Sequence, residues 1–256
     1  MRAVRTTAFA VLMTAAALFA LTGYQVTSRT AATRLLGRLA ATLVEIDRWL
    51  PSHQDDIELL ARDKPQSQLG LSDLPIDVSL QASQIIDLAG REDALRALIV
   101  SRMGVALYED GTGAFRDEQG GQRSLSITEP VRWTVTLLEG SRRSFWEAVL
   151  LLSLLVALAA VAAVLLGGGS PLAPILIGAG LAATLSLTVW LLATAAQAAV
   201  ENPVDKETML ILRDGAWIGL RDSLAVTVAA GSLLILLGPK RQQLRSSSSW
   251  PNLPSA

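Results

Sequence analysis

Between Glu147 and Glu201 the chain carries no charged residue. A stretch of that length and composition has no place on the surface of a water-soluble protein, and it is long enough to cross a bilayer twice. A helix rises about 1.5 Å per residue and has about 30 Å of hydrocarbon to span. Gly167-Gly168-Gly169-Ser170-Pro171 interrupts the stretch. Glycine and proline together punctuate a turn, so 148–166 and 172–200 are expected to form a transmembrane helical hairpin.

Two further apolar segments flank this pair. Residues 6–28 are uncharged and follow the basic start Met1-Arg2-Ala3-Val4-Arg5. A secretory signal begins in the same way, but Ala20-Leu21-Thr22 is a poor cleavage match. The segment is therefore read as an uncleaved anchor. Residues 223–238 end in Leu233-Leu234-Ile235-Leu236-Leu237 before Pro239-Lys240-Arg241. They are short for a span, and a re-entrant or tilted interfacial helix is the alternative.

The expected fold is an integral membrane α-helical protein with about four transmembrane helices. A small soluble domain, α+β or mainly α, is inserted between the first and second. The division is 1–28 anchor, 29–144 soluble domain, 145–200 hairpin, 201–222 interfacial loop, 223–239 fourth span, and 240–256 basic flank with a disordered tail. Composition agrees: 51% of residues are hydrophobic and 18% charged, against about 25% charged in soluble domains.

Arg2, Arg5, Lys240, Arg241 and Arg245 favour cytoplasmic termini. Arg29, Arg34, Arg142 and Arg143 oppose this from the other side. Long domains translocate largely regardless of charge, and the first helix usually dominates. The expectation is a multi-pass cell-membrane protein with both termini in the cytoplasm and the large domain outside.

Within 29–144, Leu36, Leu39, Leu43, Ile46 and Leu50 recur at spacings 3-4-3-4, a seam of two heptads on one helix. The seam is either a dimerisation or signalling stalk, or it packs on its own domain. Pro51 is expected to end that helix, with Ser52 and Asp55 opening a second one through about Arg62. Ile76, Val78 and Leu80 alternate as in a strand. Leu95, Leu98, Ile99 and Met103 mark a helix face. Residues 124–126 and 131–137, with Val131, Trp133, Val135 and Leu137 alternating, are expected to be strands.

Candidate chemistry is sparse. There is no cysteine and one histidine. His53 with Asp55, Asp56 and Glu58 supplies at most a half-site for a metal. A calcium loop counted from Asp110 fails, because Ala114 and Phe115 occupy positions that need an oxygen and a glycine. No phosphate loop or nucleophile elbow occurs, and the net charge of −1 offers no basic field for nucleic acid. No cofactor is expected, and the chain is read as non-enzymatic.

The 201–222 segment is less ordinary. It repeats Leu-Arg-Asp at Leu212-Arg213-Asp214 and Leu220-Arg221-Asp222, with Trp217 between. Arg213, Asp214, Trp217, Arg221 and Asp222 fit an amphipathic helix in the membrane interface, or one that caps the large domain. In segment three, Gly178 and Ala182 form a small-xxx-small pair suited to close helix packing. The functional expectation is a cell-envelope protein that contacts lipid and binds or assembles protein partners, or a homo-oligomer, through its soluble domain. A sensor or regulatory subunit and a transporter or channel subunit are the alternatives.

Overall fold

Four helices in the computed structural model are long and apolar enough to cross a membrane: α1 (Arg2–Val26), α7 (Ser141–Leu166), α8 (Leu172–Ala199) and α9 (Pro203–Ser246). The structure describes residues 2–71, 73–115 and 128–246. Between α1 and α7 lie α2 (Arg29–Leu43), α3 (Ile46–Asp63), β1 (Gln68–Gly70), β2 (Ser79–Gln81), α4 (Ala82–Asp87), α5 (Glu92–Asp110), a 3-10 turn (Gly111–Ala114) and α6 (Glu129–Leu138). The chain is mainly α, and two three-residue strands make its one described sheet.

The hairpin turn forms for the reason its residues suggest. Gly168 has φ +75°, and its N–H donates to Leu165 O, while the Gly169 N–H reaches back to Val164 O. This is a Schellman close, and it needs a left-handed residue that glycine adopts without a Cβ penalty.

The chain divides into two compact units. The smaller holds residues 1–21, 149–187 and 217–256. It packs on small residues. Ala15 and Leu18 of α1 meet Ala179 and Ala182 of α8, with Val226 of α9 alongside. Ala10 of α1 meets Ala160 and Val164 of α7. A Cβ on Gly178 would lie 2.7 Å from Thr14 Cβ and 2.7 Å from the Val11 carbonyl oxygen. The backbones therefore touch at this glycine, which is how helices associate where lipid removes any hydrophobic driving force between them. Leu151, Leu152, Leu155, Leu158 and Leu185 point outward, as lipid-facing side chains would.

The larger unit holds residues 22–148 and 188–216. One core fills it, with Leu36 and Leu39 of α2, Ile46 and Leu50 of α3, Leu95, Ile99, Met103 and Leu107 of α5, Val131 and Val135 of α6, and Ile211 of α9. Its tightest point is the crossing of α2 and α5. A Cβ on Gly37 would stand 2.7 Å from the Val100 carbonyl oxygen, and one on Gly104 would overlap the Thr33 carbonyl oxygen. Strands β1 and β2 pair antiparallel in the register Gln68↔Gln81, Leu69↔Leu80, Gly70↔Ser79. Ile76, Val78 and Leu80 all point into the core, so the alternation read from sequence holds even where the chain is not laddered. Ile76 instead bridges Phe115.

Several expectations fail. The seam does not run along one helix: Glu45 is left-handed, with φ 50°, and separates α2 from α3. Pro51 lies inside α3 and does not end it. Proline costs a helix the bond to the carbonyl four residues back, here that of Asp47. Both residues are exposed near the helix start, where water can satisfy that oxygen. Ser52 caps nothing; its hydroxyl donates to Trp49 O within the helix.

Residues 131–137 are helix α6, not a strand. Glu129 and Pro130 occupy its first turn, positions that favour acid and proline. Val131, Thr134, Val135 and Leu138 turn inward, so the helical period outweighs the alternation. The expected strand at 124–126 lies outside the described residues. The 201–222 segment and the fourth span form one helix, α9, which continues past Pro239. Asn202 caps it, with Oδ1 accepting from the Val204 N–H, and Pro203 takes the first position.

The crossing yields a direct test. Gly→Ala inside a helix ordinarily gains about 0.5–1 kcal/mol. Gly104→Ala should instead lose about 1–3 kcal/mol, because the new methyl overpacks the contact. Gly70→Ala, with open space around it, should stay within about 0.5 kcal/mol of the parent. Thermal unfolding in detergent, followed by circular dichroism, measures both; a stabilised Gly104→Ala protein would refute the close approach.

Candidate functional site

Helix α3 presents two faces. Ile46, Leu50, Ile57 and Ala61 turn inward. On the opposite side, at about 100° per residue, Asp55, Asp56, Leu59, Leu60 and Asp63 share one outward face. Leu59 is 68% exposed and Leu60 53%. Two adjacent leucines in solvent among three aspartates depart from the alternation of an ordinary amphipathic helix. Nothing in the local sequence singles out these leucines. Their outward direction follows only once Ile57 and Ala61 are known to be the inward pair.

The inner face of α3 is anchored from several directions. Arg96 of α5 donates from Nε to Asp47 Oδ1 at 2.6 Å and from Nη2 to Oδ2 at 3.3 Å. This bidentate bond holds the Asp47 carboxyl below the usual carboxylate range. Glu58 accepts from the Gln54 amide at 2.9 Å and from the Gly90 N–H at 3.1 Å. Those two bonds, the amide first, hold its carboxyl low as well. His53 stacks on Trp49 with ring centroids 4.7 Å apart. Its Nδ1 lies 2.8 Å from Trp49 O, and its Nε2 lies 4.0 Å from Asp73 Oδ2.

The five seam residues fall within or against the core of the larger unit. Leu36, Leu39, Ile46 and Leu50 are fully buried there and Leu43 is partly buried. Helices α2 and α3 pack on this chain's own α4, α5 and α6, which thus cover that apolar surface. The proposed acidic half-site disperses: Asp55 and Asp56 face solvent while Glu58 is engaged by Gln54 and Gly90. Among the described residues no group of three or more His, Asp or Glu side chains is placed to hold a metal ion.

The two Leu-Arg-Asp repeats of α9 have different surroundings. In the first, Asp214 Oδ2 accepts from Arg38 Nη1 at 3.1 Å, and Arg213 Nη1 donates to Gln197 of α8 at 3.4 Å. Arg38 Nη2 also stands 2.8 Å from Glu207 Oε1. That contact lies off the line of a hydrogen bond, so Oε1 has no hydrogen-bond donor. In the second repeat, Arg221 Nε donates to the adjacent Asp222 Oδ1 at 3.0 Å. Trp217 is 55% exposed. Arg38 lies off the seam on α2. Its link to α9 spans 176 positions, and no local pattern could have signalled it.

Among the described residues outside the spans, Asp47, Glu58 and Arg96 have their proton affinity clearly moved, and each is accounted for by the contacts that fix α3. Compared with known protein families, with curated proteins and with solved structures, the chain matches none.

The lowered Asp47 and Glu58 carboxyls set a pH dependence. A carboxyl depressed by folding contributes stability above the ordinary carboxylate pKa of about 4, and the contribution is lost as pH falls through the folded values. Asp47→Asn with Glu58→Gln should therefore flatten the loss of melting temperature between about pH 6 and pH 3. An acid profile parallel to that of the parent would contradict the role given to these two carboxylates.

Proposed function

We propose that the chain is a non-enzymatic integral membrane protein of the cell envelope, which binds or assembles partner proteins through the domain formed by α2–α6. In this reading the domain is water-exposed and stands outside the cytoplasm, with both termini inside. The four long apolar helices are the anchor. The observation that carries the partner-binding reading is the outward face of α3, where Leu59 and Leu60 stand exposed among Asp55, Asp56 and Asp63. Exposed apolar side chains rimmed by charge mark interaction surfaces when they cluster. The acidic rim selects a partner whose apolar patch is bordered by Lys or Arg, because complementary charge steers encounter and rejects wrong partners. A second copy of the chain would bring aspartates against aspartates on this face, so a different protein fits it better than a homo-oligomer.

A second reading, a sensor or regulatory subunit, has one observation in its favour. Helix α9 is unbroken from Pro203 to Ser246. Ile211 on it lies in the core and Asp214 is bonded to Arg38, while its apolar part is long enough to cross a membrane. A continuous helix of that kind can carry a displacement of the domain toward the other side of the bilayer.

Crosslinking with mass spectrometry on intact membranes, using a tag placed after Arg245, tests the first reading. The expected result is a discrete set of proteins crosslinked to α3 that disappears in a Leu59→Asp/Leu60→Asp protein of unchanged melting temperature. Recovery of the same set from the double variant, or crosslinks from the chain only to itself, would sink it.

A further inference from the structure

Arg143 differs from the arginine beside it. Arg142 Nε lies 3.6 Å from Glu139 Oε1. Arg143 is held by an aromatic ring instead. Its Nη2 donates to the Tyr24 hydroxyl at 3.2 Å, and its guanidinium carbon lies 5.0 Å from the centre of the Tyr24 ring. Among the described residues no carboxylate is paired with it. Glu147, one turn further along α7, is exposed and makes no ion pair with it.

The backbone on both sides of this pair is fixed. Trp146 packs against Gly23, where any Cβ would overlap the indole. Helices α1 and α7 therefore meet one residue from Tyr24 and three from Arg143. Just before α7, the Gly140 N–H donates to Tyr108 O at 2.7 Å, and a Cβ on Gly140 would meet the Tyr108 ring at 2.9 Å. A guanidinium held in place in this way loses little freedom when it takes a ligand.

Its unused donors say what that ligand would be. A guanidinium carries five N–H groups, and the bond to Tyr24 uses one. The Tyr24 hydroxyl accepts that bond and keeps its own O–H, which among the described residues donates to no other side chain. Several donors around one unpaired positive charge match phosphate, whose oxygens an arginine fork takes two at a time.

Both residues belong to candidate spans, so their depth follows from helix length alone. Measured along α7 from Leu166, the uncharged part is about 27 Å long and Arg143 lies about 35 Å away. The hydrocarbon of a bilayer is about 30 Å thick, and about 40–45 Å with both headgroup layers. Arg143 thus falls within a headgroup layer. Exposed Phe145 packs edge to face on Trp146, with centroids 5.7 Å apart. With Tyr24 they form the aromatic belt that marks this depth. The anion present there is the lipid phosphate.

We propose that Arg143 and Tyr24 form a binding site for the phosphate of a membrane phospholipid, with the guanidinium fork on two of its oxygens and the Tyr24 hydroxyl donating to the same group. Inorganic phosphate offers the same oxygens but lacks the acyl chains that hold a phospholipid at this depth. The outward face of α3 takes no part, so this site stands or falls apart from partner binding.

Phosphatidylglycerol, whose phosphate is its only charge, is the probe. Full-length protein in a non-ionic detergent is loaded with it, with the diacylglycerol of the same chains, or with inorganic phosphate alone. Bound molecules are counted by native mass spectrometry. The parent should hold phosphatidylglycerol about tenfold more tightly than Arg143→Gln does, the effect of one charge-assisted phosphate contact. It should hold diacylglycerol no better than the variant does. Arg142→Gln should bind phosphatidylglycerol as the parent does. Equal retention by the parent and Arg143→Gln, an equal loss in Arg142→Gln, or inorganic phosphate bound as tightly as the lipid would overturn the proposal. If Arg143→Gln fails to fold, Tyr24→Phe decides, because it keeps the ring and loses the hydroxyl: weaker binding upholds the site and unchanged binding overturns it.

Discussion

At the α2–α5 crossing, a side chain on Gly104 would have to share the space of the Thr33 carbonyl oxygen, and one on Gly37 the space of the Val100 carbonyl oxygen. The two backbones are in contact, with no side chains between them. Everything else in the larger unit is scaled to that distance. Leu36 and Leu39 from one helix and Ile99 and Met103 from the other are fully buried around the glycines. Protein interiors are packed closely enough that a gap of one methyl forfeits contacts along the whole interface. The crossing also sets where α3 and the short hairpin can sit, because both complete the same core.

The next residue after Gly37 is Arg38. With α2 fixed by its glycine, the Arg38 guanidinium lies beside Asp214 and Glu207 in the N-terminal part of α9. These charges are partly exposed, and pairs of that kind contribute little to stability. What they supply is register. Together with Ile211 in the core, they make the first turns of α9 part of the domain and not a loose connection. The outward face of α3 depends on the same frame, since Arg96 of α5 clasps Asp47 and the Gly90 N–H clasps Glu58. Leu59 and Leu60 are thereby held out from a rigid support, which is the condition for an exposed apolar face to bind with little ordering cost.

Much of this could be read in the sequence wherever one physical signal acted alone. The uncharged stretch accounts for α7 and α8, because a helix satisfies its own backbone groups in lipid, and the Gly-Gly-Gly-Ser-Pro break accounts for the left-handed Gly168 that closes the turn. Ile76, Val78 and Leu80 face inward as their alternation requires. The failures come where signals compete or where none exists. Residues 131–137 satisfy both periods, and the proline and acid of the first turn decide for helix. Glu45 adopts a left-handed conformation with neither glycine nor asparagine to announce it. Gly37 and Gly104 lie in helical patterns, where a glycine interior to a helix costs stability unless something must come close. The partner that comes close is far away in sequence. The seam residues recur at a helical period, but periodicity cannot say whether such a stripe faces another chain or its own. The α3 leucines carry no local signal for the complementary reason: exposure of two apolar residues is a property of the folded surface.

The functional account stands on the α2–α6 assembly being in water outside the cytoplasm, with α3 facing out. Labelling intact cells with a membrane-impermeant maleimide tests this most directly, because the cysteine-free chain gives no background. Asp56→Cys, on the outward face of α3, should be labelled fully in intact cells. A cysteine placed in the tail after Arg245 should be labelled only once the membrane is permeabilised. Labelling of the tail but not of position 56 in intact cells would contradict the account.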